Sequence, residues 1–144
     1  MKKFLLAAAA LTFAVTASIA GPVEDREAMM KGFGGALGQL GPIAKGEKPY
    51  DAAVVNAAIE QLSANAMKFD VAAMFPAGSG EGTEALPAIW ENMADFEAKV
   101  AKFKADVAGV AANPPADQAA VGAALGVIGG NCGACHQTYR AKKS

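Results

Sequence analysis

The run of apolar residues between Ile89 and Val110 most restricts what this chain can become. Ile89, Met93, Phe96, Val100, Phe103, Val107 and Val110 follow in steps of four and three without a miss. Such steps place side chains on one stripe of an α-helix. A stripe this regular is the seam of a helix packed nearly parallel or antiparallel to its neighbours. Pro87 suits the first turn of that helix, and Asn113-Pro114-Pro115 ends it. Three further segments carry the same spacing. Glu24 to Lys45 lines up Met30, Phe33, Leu37 and Leu40. Asp51 is placed to cap a helix running to about Phe69, with Val55, Ile59, Leu62, Ala66 and Phe69 on one face. A last helix from about Ala116 carries Val121, Leu125, Ile128, Cys132, Cys135 and Tyr139. No segment alternates with the period of a strand. The expectation is an all-α, antiparallel up-down four-helix bundle, with one long irregular link from about Phe75 to Leu86.

Composition narrows the class. The chain has 144 residues, enough for one compact domain. Hydrophobic residues make up 53%, mostly Ala, which favours helix and argues against disorder. With 13 Lys and Arg against 14 Asp and Glu, a strongly basic nucleic-acid binder is excluded. Gly32, Gly34, Gly35, Gly38 and Gly41 each cost the first helix about 1 kcal/mol against Ala, so a bulky group or another backbone is expected to come close there. Met1-Lys2-Lys3, an apolar stretch from Phe4 to Ala17 and the small-residue ending Ser18-Ile19-Ala20 form the anatomy of a secretory signal. Cleavage after Ala20 is expected, which leaves residues 21–144 as the folded domain. No later segment is expected to be long and apolar enough to span a membrane.

Cys132-Gly133-Ala134-Cys135-His136 is a C-x-x-C-H sequence, the attachment motif for c-type haem. Two thiols three residues apart on a helix share a face and can form thioethers with the two vinyl groups along one porphyrin edge. His136 then gives the iron a nitrogen ligand. Gly133 and Ala134 are small, and Gly129 and Gly130 one turn earlier leave further room. A disulfide within one helical turn is opposed by backbone geometry. A thioredoxin-like pair begins a helix after a strand, and a zinc site needs four ligands. Because His136 is the single histidine, no second one is present to act as a peroxidase base.

Cys132 to Arg140 reads CGACHQTYR. Together with Arg26-Glu27-Ala28-Met29-Met30, the link KGEKPYD at residues 45–51, and Ala88-Ile89-Trp90, it resembles the class II c-type cytochromes, the cytochrome c′ family, over residues 22–144. The resemblance implies a bundle with one covalent haem c inside it near the C-terminal helix. It implies that Arg26, Glu27, Met30, Glu84 and Arg140 lie in the haem vicinity, Arg26 near a propionate and Arg140 near the proximal face. Trp90 is read as core packing. Met30 occupies the position that faces the open side of the iron. In one branch an apolar side chain blocks that side, and the five-coordinate iron binds nitric oxide or carbon monoxide. In a low-spin branch, which the KGEKPYD link resembles, a methionine thioether is the sixth ligand. Met30 also lies on the apolar stripe, where methionine is ordinarily core filling. The expectation is a periplasmic carrier of one electron, not an enzyme, with His136 as proximal ligand and Met30 as candidate sixth ligand. The alternative is a gas-binding five-coordinate protein. Exported redox proteins are the implied partners, and the resemblance allows a homodimer through the first two helices.

Overall fold

A computed structural model describes residues 21–142. The secretory signal expected at residues 1–20 lies outside the described residues, as do Lys143 and Ser144. Four long helices form the frame: α1 (Pro22–Ala44), α2 (Ala52–Met67), α5 (Met93–Ala112) and α6 (Gln118–Tyr139), with two one-turn helices, α3 (Val71–Met74) and α4 (Ala88–Glu91), in the long link. Packing runs in a closed ring, α1 on α2, α2 on α5, α5 on α6 and α6 back on α1. That ring is the four-helix bundle expected from the spacing.

Caps fix the boundaries. The Asp51 carboxylate accepts from the Ala53 and Val54 amides (2.8 and 3.3 Å), and Asp117 accepts from Ala120 at 2.8 Å to start α6. The third long helix is expected to run unbroken from Pro87, but it is interrupted at Asn92, whose backbone is non-helical. The Asn92 side-chain amide donates to the Ala88 carbonyl at 3.3 Å, a local bond of the kind that competes with helix. The apolar spacing runs through this break, because Ile89 on α4 and Phe96 on α5 are both buried in one cluster.

Two other expectations are corrected. The stripe of α1 is Met29, Phe33, Ala36, Leu40 and Ile43, so Met29 and not Met30 fills the core. α6 is long and apolar enough, by length and composition, to cross a membrane, the only such helix among the described residues. Its apolarity comes from Ala together with Val, Leu, Ile and Cys, and its inward stripe of Val121, Ala124, Ile128 and Tyr139 is buried in the bundle.

The core divides along the bundle axis. At one end Leu40, Ile43, Val55, Ala58, Ile59 and Val121 form an aliphatic cluster under the two short links. The Tyr50 hydroxyl ties those links together by donating to the Pro115 carbonyl at 3.0 Å. At the other end the cluster is aromatic, built on Phe33, Phe69, Phe75, Phe96, Phe103 and Tyr139. There the start of α1, the end of α6 and the long link meet.

Candidate functional site

The aromatic end encloses a cavity of about 730 Å³, within the usual range of about 300–1,000 Å³ for cofactor pockets. Cys132, Cys135 and His136 line one wall, and Arg26, Glu27, Met30, Glu84 and Arg140 all line the same cavity. Every residue singled out in the sequence as lying near a haem is therefore at this one site. Phe33, Phe69, Phe75, Phe96, Phe103 and Tyr139 are its aromatic lining. Phe96 meets Phe75 edge-on (4.8 Å) and Tyr139 edge-on (5.2 Å), an arrangement that fixes ring positions.

The two cysteines are free and half-buried. Burial pushes both thiols up from their ordinary value, so both sulfurs are protonated. At Cys135 the Lys99 cation pulls the other way, while Cys132 and the Asp95 carboxylate push further up. His136 is pulled down by burial and by Arg140, with Glu84 opposing. The imidazole therefore stays neutral at neutral pH and keeps a lone pair free. Arg140 and Glu84 form a loose, half-exposed ion pair at 3.9 Å.

Among the described residues Arg26 is the one buried charged side chain, 7% exposed. Its guanidinium lies over the Phe75 ring at 4.8 Å and donates to the Ser79 carbonyl at 2.6 Å and hydroxyl at 3.4 Å. It thus pins the long link against the start of α1. Trp90 clamps the same link from the other side, its indole N–H donating to the Phe75 and Pro76 carbonyls (3.0 and 3.1 Å). The backbone of residues 84–86 is stitched to the end of α6: Leu86 N–H donates to the Tyr139 carbonyl at 3.0 Å and Ala141 N–H to the Glu84 carbonyl at 2.8 Å.

Met30 is 38% exposed, whereas Met29 is 8% exposed. One turn of α1 thus carries one methionine into the core and one onto the cavity wall. The glycines of α1 do not line the cavity. A side chain at Gly32 would meet Asn65 of α2 at 2.6 Å, and positions 34, 38 and 41 face open space. The close approach expected from these glycines is with α2, and it is local. Gly129 and Gly130 likewise face open space.

Lys99 and Asn131 also line the cavity, and neither was singled out from the sequence. Lys99 reads there as an ordinary solvated charge with an i,i+4 acidic partner, and nothing in its spacing marks the cavity.

The donor set fits a covalent haem. Two protonated thiols on one face, a neutral imidazole beside the second, aromatic walls and cations among the lining side chains suit such a group. Among the described residues no group of three His, Cys, Asp or Glu side chains is gathered to hold a bare metal ion.

Comparison with known proteins agrees. The family model described as cytochrome C′ matches residues 21–140. A cytochrome c-556 from Agrobacterium tumefaciens (strain II Chrys) is 56% identical over 124 residues, covering 86% of this chain and 100% of the relative. The solved cytochrome c′ from Rhodopseudomonas palustris superposes with a TM-score of 0.78 at 35% identity, covering 87% of this chain and 99% of that one. A nitric oxide complex of a variant cytochrome c prime from Alcaligenes xylosoxidans gives a TM-score of 0.75 at 34% identity, covering 88% and 100%.

Proposed function

Since this chain belongs to the cytochrome c′ family, a family of haem proteins that transfer electrons or bind ligands, we propose that it is a periplasmic carrier of one electron whose iron is held between His136 and Met30. Its cofactor is haem c, covalently attached, which supplies the redox couple when bound. The chain's own residues do the rest. Cys132 and Cys135 carry the two thioether bonds. His136, neutral through burial, gives the proximal nitrogen. Arg26 lies within reach of the cavity, where a guanidinium matches a propionate carboxylate. Glu27, Glu84 and Arg140 stand at its rim as the charged surroundings. Residues 1–20 direct export and are removed.

The observation that carries the ligation is the split between Met29 and Met30. Core filling, the ordinary role of a methionine on this stripe, is taken by Met29. Met30 is left with its thioether on the cavity that holds His136. A thioether opposite histidine raises the reduction potential, as suits a carrier. The second reading, a five-coordinate iron that binds nitric oxide or carbon monoxide, is favoured by the nitric oxide complex of the Alcaligenes relative.

An absorption spectrum of the reduced holoprotein separates the two. Sharp, split low-spin bands are expected, and Met30→Ala should convert them to a broad high-spin pattern with rapid uptake of carbon monoxide. A broad high-spin spectrum in the unmodified protein overturns Met30 ligation and leaves the gas-binding reading. Mass spectrometry of the periplasmic fraction should find residues 21–144 carrying one haem.

A further inference from the structure

Three ion pairs of the described residues join side chains one turn apart on a helix, and they are not alike. Lys31 and Lys102 hold their partners from solvent, with side chains 79% and 67% exposed, whereas Lys99 is 31% exposed. Glu27 and Lys31 also line the cavity, but from solvent, whereas Asp95–Lys99 is tied back through Tyr139 to α6, the helix that carries Cys135. Lys99 lines the cavity itself, and its ammonium lies 3.2 Å from Asp95 Oδ2. That same oxygen accepts the Tyr139 hydroxyl at 2.5 Å. Tyr139 is buried against Phe96, four residues beyond Cys135 on α6. The fold does not need this pair for its seam, which Phe96, Val100 and Phe103 supply.

We infer that Asp95 and Lys99, with Asp95 fixed by Tyr139, are positioning residues that set the reduction potential of the haem through opposed charges. The inference rests on the electron-carrier reading and adds to it the residues that tune the carrier. Reduction adds one electron to the haem and moves no proton. A nearby cation therefore favours the reduced form and a nearby anion the oxidised form. Tyr139 holds the anion in place, and the anion draws the ammonium of Lys99 towards itself. The cofactor experiences the difference between the two, and removing either charge exposes the other.

The test is a redox titration of the holoprotein and its variants against a one-electron mediator, at low ionic strength where screening is weak. Asp95→Asn should shift the equilibrium about threefold towards the reduced form, and Lys99→Gln about threefold towards the oxidised form, for charges partly screened by solvent. Lys99→Arg, which keeps the charge, should stay with the parent. Opposite signs with unchanged ferrous spectra support the pair, because a merely structural role would not reverse sign with the charge removed. Equal signs, no shift, or shifts that accompany an altered spectrum overturn it. A high-spin parent spectrum would defeat Met30 ligation while leaving this comparison of signs intact.

Discussion

The two ends of the bundle use the same helices for different work. At the end under the short links the interior is aliphatic and closed, with Leu40, Ile43, Val55, Ile59 and Val121 almost wholly buried. Tyr50 holds the links together there. At the other end the interior is aromatic and encloses about 730 Å³, with a buried arginine, a clamped link and a stitched helix end around the space. Branched aliphatic side chains interdigitate and leave no room. Rings meeting edge-on make flat, stiff walls around a gap. The lesson is a division of labour along one axis: closed packing at one end keeps four helices in register, so the other end can hold a cavity without losing the fold.

The strongest test of that division is to damage the closed end. Ile59→Ala should cost about 2–5 kcal/mol of stability through lost burial and a residual cavity, read by denaturant unfolding, while the ferrous spectrum stays as in the parent. A changed spectrum would show that the two ends are not independent. A smaller effect is expected at the open end from Gly80→Ala. A Cβ there would sit 2.6 Å from the Trp90 ring, and the ring, held by its own hydrogen bonds to residues 75 and 76, cannot turn away. The cost should be about 1–3 kcal/mol, with faster amide exchange confined to residues 75–87.

The smallest effect is one of pH. The Asp95 carboxylate, chiefly by accepting its hydroxyl, pushes Tyr139 up to about 12 from an ordinary value of 10.0. A phenol whose folded value is raised contributes stability that is complete below the unfolded value and is lost as pH climbs through the folded one. Stability of the parent should therefore fall between roughly pH 10 and pH 12. Tyr139→Phe should lack that component of the slope, as denaturant midpoints measured across the range will show.

Much of this was legible in the sequence because a helix writes its inward face at a fixed period. The seams of α2, α5 and α6 follow the spacing almost residue for residue, and the C-x-x-C-H motif marks the cavity wall through the chemistry of three side chains. What was not legible depends on contacts between distant segments. The pattern of α1 placed Met30 on the stripe. Position 29 is as apolar as position 30, and only the helix's rotation against its neighbours decides which enters the core. The break at Asn92 hides because the apolar steps continue across it while one side-chain amide competes for the Ala88 carbonyl. The glycines of α1 signal close approach without saying to what. Arg26 could be placed near the site, but its grip on Ser79, 53 residues away, has no trace in local spacing. Lys99 and Asp95 look like any surface pair until Tyr139 is brought in from α6.

The two backbone bonds between residues 84–86 and the end of α6 also hold one side of the cavity shut as a unit. Each is worth about 0.5–1.5 kcal/mol net, and they act together with the Arg26 and Trp90 contacts on the same segment. Swinging that segment outward as a flap would break all of them at once. Opening the interior by that swing therefore costs the sum of these contacts, whereas turning a single side chain costs none of them.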